Sequence, residues 1–227
     1  MNKIKLVLIG AHGRLGSLVQ NLCEQNDFKK IKLVQKVQKK ADLNFSSSFD
    51  VVLDVSTPKA TKEYLNILLK ESCAVPYIIG CTGWTDPDLK VVYHYSKKAC
   101  VVIAPNFSPA VNLLLYLLEK AASHLKSWGY ESVLHEIHHK QKKDAPSGTA
   151  KAMLEKLPHM NTQVHSSRVS KVVGLHELKF IGPFDVLSFT HEAFDRKIFA
   201  YGALLAVKWV FQNRKTGLYS MKDVFFS

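Results

Sequence analysis

Apolar and polar positions along the chain fall into two regimes. Up to about residue 107, short apolar runs alternate with stretches of helical spacing. Ile4–Ile9 is an apolar run broken by one lysine, the pattern of a parallel strand covered on both faces. Leu15, Leu18, Val19, Leu22 and Cys23 follow at helical intervals. Residues 31–37, 49–55, 76–80 and 101–104 read as further strands. Helices opened by Thr57-Pro58 and by Asp86-Pro87 lie between them. This alternation predicts an α/β, Rossmann-type doubly wound parallel sheet.

Ser108-Pro109 then gives an N-cap with proline at the first helical position, and Val111, Leu114, Leu115, Leu118, Ala122 and Leu125 make one apolar stripe behind it. Beyond that helix the rhythm changes. Residues 130–138, 163–173, 176–181 and 186–193 read as strands separated by turns, with Gly182-Pro183 joining the last two as a hairpin. Residues 147–157 read as an inserted helix, capped by Ser147 and closed by Pro158. A second α+β domain with a mostly antiparallel four-stranded sheet is expected. Residues 198–211 are again helical and are expected to return to the first domain. The predicted domains are residues 1–107 with 197–227, and 108–196.

Composition narrows the partners. Hydrophobic content of 47% with twelve Phe supports a buried core. Cys23, Cys73, Cys81 and Cys100 form no C-x-x-C pair and read as reduced thiols of a cytoplasmic protein. No stretch approaches the length of a membrane span, and the apolar opening is broken by His12-Gly13-Arg14. The net charge of +12 raises nucleic acid as a partner. The basic residues are scattered, however, without the aromatic interleaving that stacks bases. Anionic small molecules explain the short clusters at residues 36–40 and 140–143, so neither nucleic acid nor membrane is expected.

Two stretches carry chemistry. Gly10-Ala11-His12-Gly13-Arg14-Leu15-Gly16 joins a strand to a helix, the setting in which a G-x-x-G-x-x-G pattern indicates a dinucleotide site. Gly10 permits the turn, Gly13 lets the backbone approach a pyrophosphate, and Gly16 lets the helix sit close to the sheet. The second strand ends at Gln38, Lys39 and Lys40 where an acidic residue would take the ribose hydroxyl of NAD; the lysines suit a 2′-phosphate, which tilts the expectation toward NADPH or dual use. The turns at Gly80 to Gly83 and Ala104 to Phe107 are expected at the same sheet edge.

The other stretch is Glu136 to Ala150, E-I-H-H-K-Q-K-K-D-A-P-S-G-T-A. Strand alternation puts Leu134, Glu136 and His138 on one face and His135, Ile137 and His139 on the other. Gly148 is expected to leave the first-turn amides of the following helix uncovered, an anion site with Lys142 and Lys143 beside it. A metal-dependent hydrolase using His135, His138 and His139 is disfavoured, because the alternation splits them and no convincing acidic partner sits nearby. No metal is expected.

In this order the pieces resemble the dihydrodipicolinate reductase family. The resemblance runs from the Gly10 to Gly16 turn through G-C-T-G at Gly80, A-P-N-F-S at Ala104 and H-H-x-x-K-x-D-A-P-S-G-T-A, to T-H-E-A-F-D-R at Thr190 and the final G-L-Y-S-M-K-D-V-F. It implies a homotetrameric reductase of lysine and diaminopimelate biosynthesis. Such an enzyme adds hydride from NADH or NADPH at C4 of 4-hydroxy-tetrahydrodipicolinate, with loss of the hydroxyl and a proton delivered at C3. By position it implies His138 as proton donor and Lys142 as a second acid, with His139, Gly148 and Thr149 on the substrate dicarboxylate. Gly10, Ala11, His12, Gly13, Arg14, Leu15, Gly80, Cys81, Thr82, Ala104, Pro105, Asn106 and Phe107 are implied as cofactor contacts, with Gln38 and Lys39 at the ribose. The chain departs from the family at Gln38 (usually acidic), Cys81 (usually threonine), Leu175 (usually glutamate) and Pro109-Ala110, and in a shortened 38–48 region.

Overall fold

The computed structural model describes residues 3–39, 42–44 and 48–227, so Lys40 lies outside the described residues. In chain order the elements begin β1 (Ile4–Ile9), α1 (Arg14–Cys23), β2 (Ile31–Val37), β3 (Val51–Asp54), α2 (Pro58–Lys70), β4 (Tyr77–Ile79), α3 (Asp86–Ser96) and β5 (Cys100–Ile103). Then come α4 (Pro109–Ser127), β6 (Glu131–His138), α5 (Gly148–Glu155), β7 (Gln163–Arg168), β8 (Gly174–Ile181) and β9 (Val186–Ala193). The chain closes with α6 (Lys197–Asn213), β10 (Gly217–Ser220) and α7 (Met221–Phe226). Two compact units result, Met1–Ser108 with Lys197–Ser227, and Pro109–Arg196.

The first unit is a parallel six-stranded sheet in the order β10-β5-β4-β3-β1-β2. Alternation sorts its side chains onto two faces. Leu6, Leu8, Val51, Leu53, Ile78 and Val102 pack against Val19 and Leu22 of α1 and Ala203, Leu204, Val207 and Val210 of α6. Val7, Ile9, Val52, Tyr77, Ile79 and Val101 face Tyr64, Leu65 and Leu68 of α2 and Val92 and Tyr95 of α3. Each such side chain contributes about 1.5–3 kcal/mol by leaving water, which is why these strands read as unbroken apolar runs. Strand order reverses between β1 and β3, and the crevice beyond the strand ends there is where ligands of such sheets bind.

β10 and α7 were not expected from the sequence. Gly217–Ser220 offers only Leu218 and Tyr219 as strand formers, and this edge strand pairs with β5 alone. α7 starts from a capping box in which Ser220 and Asp223 satisfy each other's backbone amides.

In the second unit the sheet runs β7-β6-β8-β9; β6 and β7 are parallel because α5 crosses between them, and the other pairings are antiparallel. Leu134, Leu178 and Phe180 from one sheet face form a core with Leu114, Leu118 and Leu125 of α4 and Ala150, Met153 and Leu157. β7 stops at Arg168, short of the expected residue 173, and Ser170 lies at a φ of +47° that no strand continues through. Among the described residues no helix is long and apolar enough to cross a membrane.

Candidate active site

The expected cofactor residues gather in the first unit at the carboxyl ends of its strands. Gly10, with φ of +79°, turns the chain out of β1, and a Cβ on Gly16 would lie 2.2 Å from the Gly10 carbonyl oxygen, so α1 reaches the sheet only through glycine. Gly13 is the N-cap of α1, with no side-chain cap and no acidic residue in the first turn, leaving a helix start suited to phosphate. Gly10, His12, Gly13, Gln38 and Lys39 line one cavity of about 370 Å³ together with Ile9, Ser56, Ala60 and Tyr64. Gly80, Cys81 and Thr82 follow β4, and Ala104, Pro105, Asn106 and Phe107 follow β5; neither turn lines that cavity. These two turns touch, since a Cβ on Gly80 would meet the Phe107 ring at 2.6 Å.

The side chains of Ala11, Cys81, Ala104 and Phe107 are buried in the core, so any contact they make to a ligand comes from their backbone. Burial pushes the Cys81 thiol up to about 11, which makes it inert near neutral pH. His12, Arg14, Thr82 and Pro105 are exposed, while Leu15 and Asn106 are half-buried.

Two acids near this crevice escaped the reading of the sequence. Asp54, fully buried, accepts from Ser56 N at 2.9 Å, from the Ser56 hydroxyl, and from Tyr77 OH at 2.7 Å, which fixes the turn that brings Ser56 to the cavity. Asp42 Oδ2 accepts from Gln38 N at 2.9 Å and Lys39 N at 2.7 Å, and those two amides hold its carboxyl below the usual carboxylate range.

In the second unit, strand alternation along β6 buries Ser132, Leu134, Glu136 and His138 on one face. Cross-strand register then sets Ser166 and Arg168 of β7 beside Glu136 and His138, with His176 of β8 opposite Glu136 and His191 of β9 opposite His176. The Glu136 carboxylate accepts from Ser147 N at 3.1 and 3.2 Å and from Arg168 Nη2 at 3.0 Å. Its Oε2 lies 3.2 Å from His138 Nδ1, at ion-pair distance though off the line of a hydrogen bond. Burial pushes the Glu136 carboxyl up, but hydrogen bonds from Ser147, Ser166 and Arg168 more than offset this and bring it down to about 2.

The His138 ring meets His176 edge-on at 5.0 Å, and its Nε2 lies over Gly174, where a Cβ would stand 2.9 Å away. A side chain at Gly174 therefore displaces this histidine. Desolvation lowers the His138 pKa, Glu136 raises it, and Lys142 and Arg168 lower it again. His176, with Nε2 at 3.1 Å from Ser147 Oγ, is held neutral by burial, its pKa down to about 3.

Stability is therefore expected to decline in mild acid. A histidine whose folded pKa is depressed contributes in full above its unfolded value of 6.5 and loses that contribution as pH falls toward 3. For His176 the loss at pH 5 amounts to about 2 kcal/mol. Thermal melts between pH 7 and 5 should be flatter in His176→Asn, which cannot titrate; an unchanged slope would assign the acid sensitivity elsewhere.

The remaining expected substrate residues surround this cluster. Lys142 Nζ holds both Asp144 carboxylate oxygens, at 2.8 and 2.9 Å, and the Gly148 amide also bonds that carboxylate. With Ser147 N on Glu136 and Ala150 N on Ser147 Oγ at 3.1 Å, the start of α5 is not the uncovered set of amides expected; neighbouring acids and the capping serine take several of them. Gly148 is exposed with open space around it, and Thr149 is half-buried. His139 Nε2 sits 3.0 Å from Arg196 Nη2. Arginine only donates, so Nε2 accepts and the ring proton is on Nδ1, a buried atom without a partner.

The expectation that no acid neighbours the histidines is corrected. Glu136 lies between His138 and His176, with three potential ligand atoms within 4.8 Å. His135 lies apart, stacked on His165 at 4.8 Å on the opposite sheet face. Arg168 lies 3.0 Å from the Glu136 carboxylate and compensates its charge.

The N-terminal family model of dihydrodipicolinate reductase matches residues 4–107 and the C-terminal one residues 110–225. The chain belongs to the dihydrodipicolinate reductase family. A 4-hydroxy-tetrahydrodipicolinate reductase of Thermosipho africanus is 34% identical over 96% of this chain and 95% of its own. One of Pelagibacter ubique is 34% identical over 99% and 98%. The dipicolinate-bound dihydrodipicolinate reductase of Paenisporosarcina has the same fold, with a TM-score of 0.76 at 23% identity over 96% of this chain and 97% of that one. As a member of the dihydrodipicolinate reductase family the chain is an oxidoreductase of lysine and diaminopimelate biosynthesis, reducing 4-hydroxy-tetrahydrodipicolinate with a nicotinamide dinucleotide. Glu136, Arg168, His176 and Arg196 are polar residues beside the expected substrate residues that sequence reasoning did not assign. Arg168 and His176 meet Glu136 through cross-strand pairing, and Arg196, the last residue of the T-H-E-A-F-D-R run, reaches His139 from the end of the unit.

Proposed function

We propose that His138 delivers the C3 proton and that Lys142, His139, Gly148 and Thr149 hold the substrate dicarboxylate. The observation that carries this reading is the Asp144 carboxylate lodged on Lys142 and the Gly148 amide, which marks a carboxylate seat. A substrate carboxylate arriving there displaces Asp144 and brings negative charge toward His138. That charge opposes the desolvation acting on His138 and favours its protonated form. The unpartnered His139 N–H supplies a further donor. The dinucleotide occupies the crevice of the first unit with its pyrophosphate on the Gly10–Gly13 turn, and the hydride comes from its reduced nicotinamide when one is bound. Net, one water leaves, one hydride adds at C4 and one proton at C3. A coupled assay with pyruvate, aspartate semialdehyde and the upstream synthase tests the reading: nicotinamide oxidation must require all three.

NADPH and NADH both serve in this proposal. Lys39, exposed at the cavity, attracts a 2′-phosphate, while Asp42 occupies the Gln38 and Lys39 amides and sets a negative charge beside them. Lys39→Glu should shift the NADPH/NADH ratio of kcat/KM severalfold toward NADH, and Asp42→Asn severalfold toward NADPH. Unchanged ratios would remove both residues from the ribose site.

The same reading makes the enzyme a cytoplasmic homotetramer. The four cysteines are free, which suits a reducing compartment. The sheet face away from α4 and α5 carries Ile181 and Val186 at 45% and 54% exposure, an apolar edge that further copies would cover. Light scattering should return four times the chain mass, and a monomer would overturn the assembly.

A further inference from the structure

We infer that Glu136 is the positioning residue of the proton donor, an ion-pair partner that favours the charged form of His138 against its surroundings and fixes which ring nitrogen faces away from it. This rests on the assignment of His138 as the acid. The two residues are two apart on β6 and share its buried face, so the carboxylate and the ring meet inside one strand. Glu136 is itself immobilised, held by Ser147 N from the start of α5 and by Arg168 Nη2 from β7. A fully buried carboxylate held from these two elements is fixed in place, and the Nδ1 end of His138 lies 3.2 Å from its Oε2. Nε2, the opposite end, lies over Gly174.

The charges around His138 make this contact decisive. Arg168 from β7 and Lys142 from the segment after β6 disfavour the imidazolium. His176 from β8 packs edge-on against it, with His191 from β9 behind, and burial lowers the pKa of both. Asp144 opposes Lys142 but is exposed and paired with it. Glu136 is left as the buried anion in contact with the ring. Without it, two cations and the loss of water would act on the ring with no buried charge opposing them. The arrangement of a carboxylate on the remote nitrogen of a catalytic imidazole is chemically general: it fixes the ring and stabilises its charged form.

The test compares wild type, Glu136→Gln and Glu136→Asp. In Glu136→Gln the descending alkaline limb of kcat/KM should move at least one pH unit lower, giving about a tenfold loss above neutrality, with the nucleotide dissociation constant unchanged. Glu136→Asp, which keeps the charge a methylene further off, should move the limb only part way. The His138 imidazole, followed by NMR titration without substrate, should shift in the same order. A Glu136→Gln enzyme that loses activity equally at every pH, or whose His138 titrates as in wild type, overturns the inference in favour of a purely structural carboxylate. If Glu136→Gln does not fold, Glu136→Asp decides: an unshifted limb and titration overturn it. A wild-type chain with no reductase activity would defeat the functional reading instead, and the NMR titration would still judge the Glu136–His138 contact.

Discussion

Replacement of His138 by glutamine is expected to lower kcat by about 10²- to 10⁴-fold, the usual worth of a positioned general acid, while nucleotide affinity stays at the wild-type value. Glutamine retains an N–H donor that can face Glu136, so the buried carboxylate keeps a neighbour and the fold has no new unpaired charge. What is lost is a group able to release a proton near neutral pH. The cofactor crevice is built from β1, β2, β3 and α2 of the other unit, so its binding constant has no reason to follow. Steady-state kinetics with a parallel fluorescence titration of the nucleotide would check both halves. Equal losses in turnover and nucleotide affinity would show that the residue supports the protein at large and does not deliver the proton.

Much of the first unit is legible in the amino-acid order because each strand has to be covered on both faces. Ile4–Ile9 and Ile31–Val37 occur with the bounds their apolar runs indicate, and Thr57 caps α2 through its hydroxyl on Ala60 N as the Thr57-Pro58 pair suggests. β10 was hidden because an edge strand of four residues needs no apolar run. The second unit is less transparent. Its strands carry alternating patterns, but pairing and direction follow from the α5 crossover, which makes β7 parallel to β6.

The site was legible in part for the same reason. The motif marks His138, His139, Lys142 and Gly148, and the alternation of β6 already places Glu136 on the face of His138. The same alternation separates His138 from His139, and the pair of histidines draws attention away from the acid that shares a face with the first of them. Arg168 and His176 could not be found that way. They stand 18 and 26 positions beyond the end of the motif at Ala150 and reach it only through register, Arg168 opposite His138 and His176 opposite Glu136. The Asp42 contact to Gln38 and Lys39 is a local turn, yet the run of basic residues there draws attention to charge and away from the acid that folds back on their amides.

The second large effect is expected at Arg168. Its guanidinium is the cation paired with the fully buried Glu136 carboxylate, and its own side chain is only 19% exposed. Removing one partner of a buried ion pair leaves a charge without compensation, at about 3–5 kcal/mol. Arg168→Ala should therefore lower stability by that amount in denaturant unfolding at pH 7, where Glu136, with a pKa near 2, is ionised. The same substitution in a Glu136→Gln background should cost far less, because no buried charge remains to be stranded; the difference between the two costs is the coupling of the pair. Additive effects would mean that Arg168 acts mainly through its other contacts, to Lys142 O at 3.3 Å and to the Asp144 carbonyl. Those contacts matter for catalysis as well. They tie the segment bearing Lys142 to β7, so Arg168→Ala should raise KM for the dicarboxylate even at temperatures where the variant is fully folded. Loss of stability without that rise would leave Arg168 a counter-ion to Glu136 and nothing more.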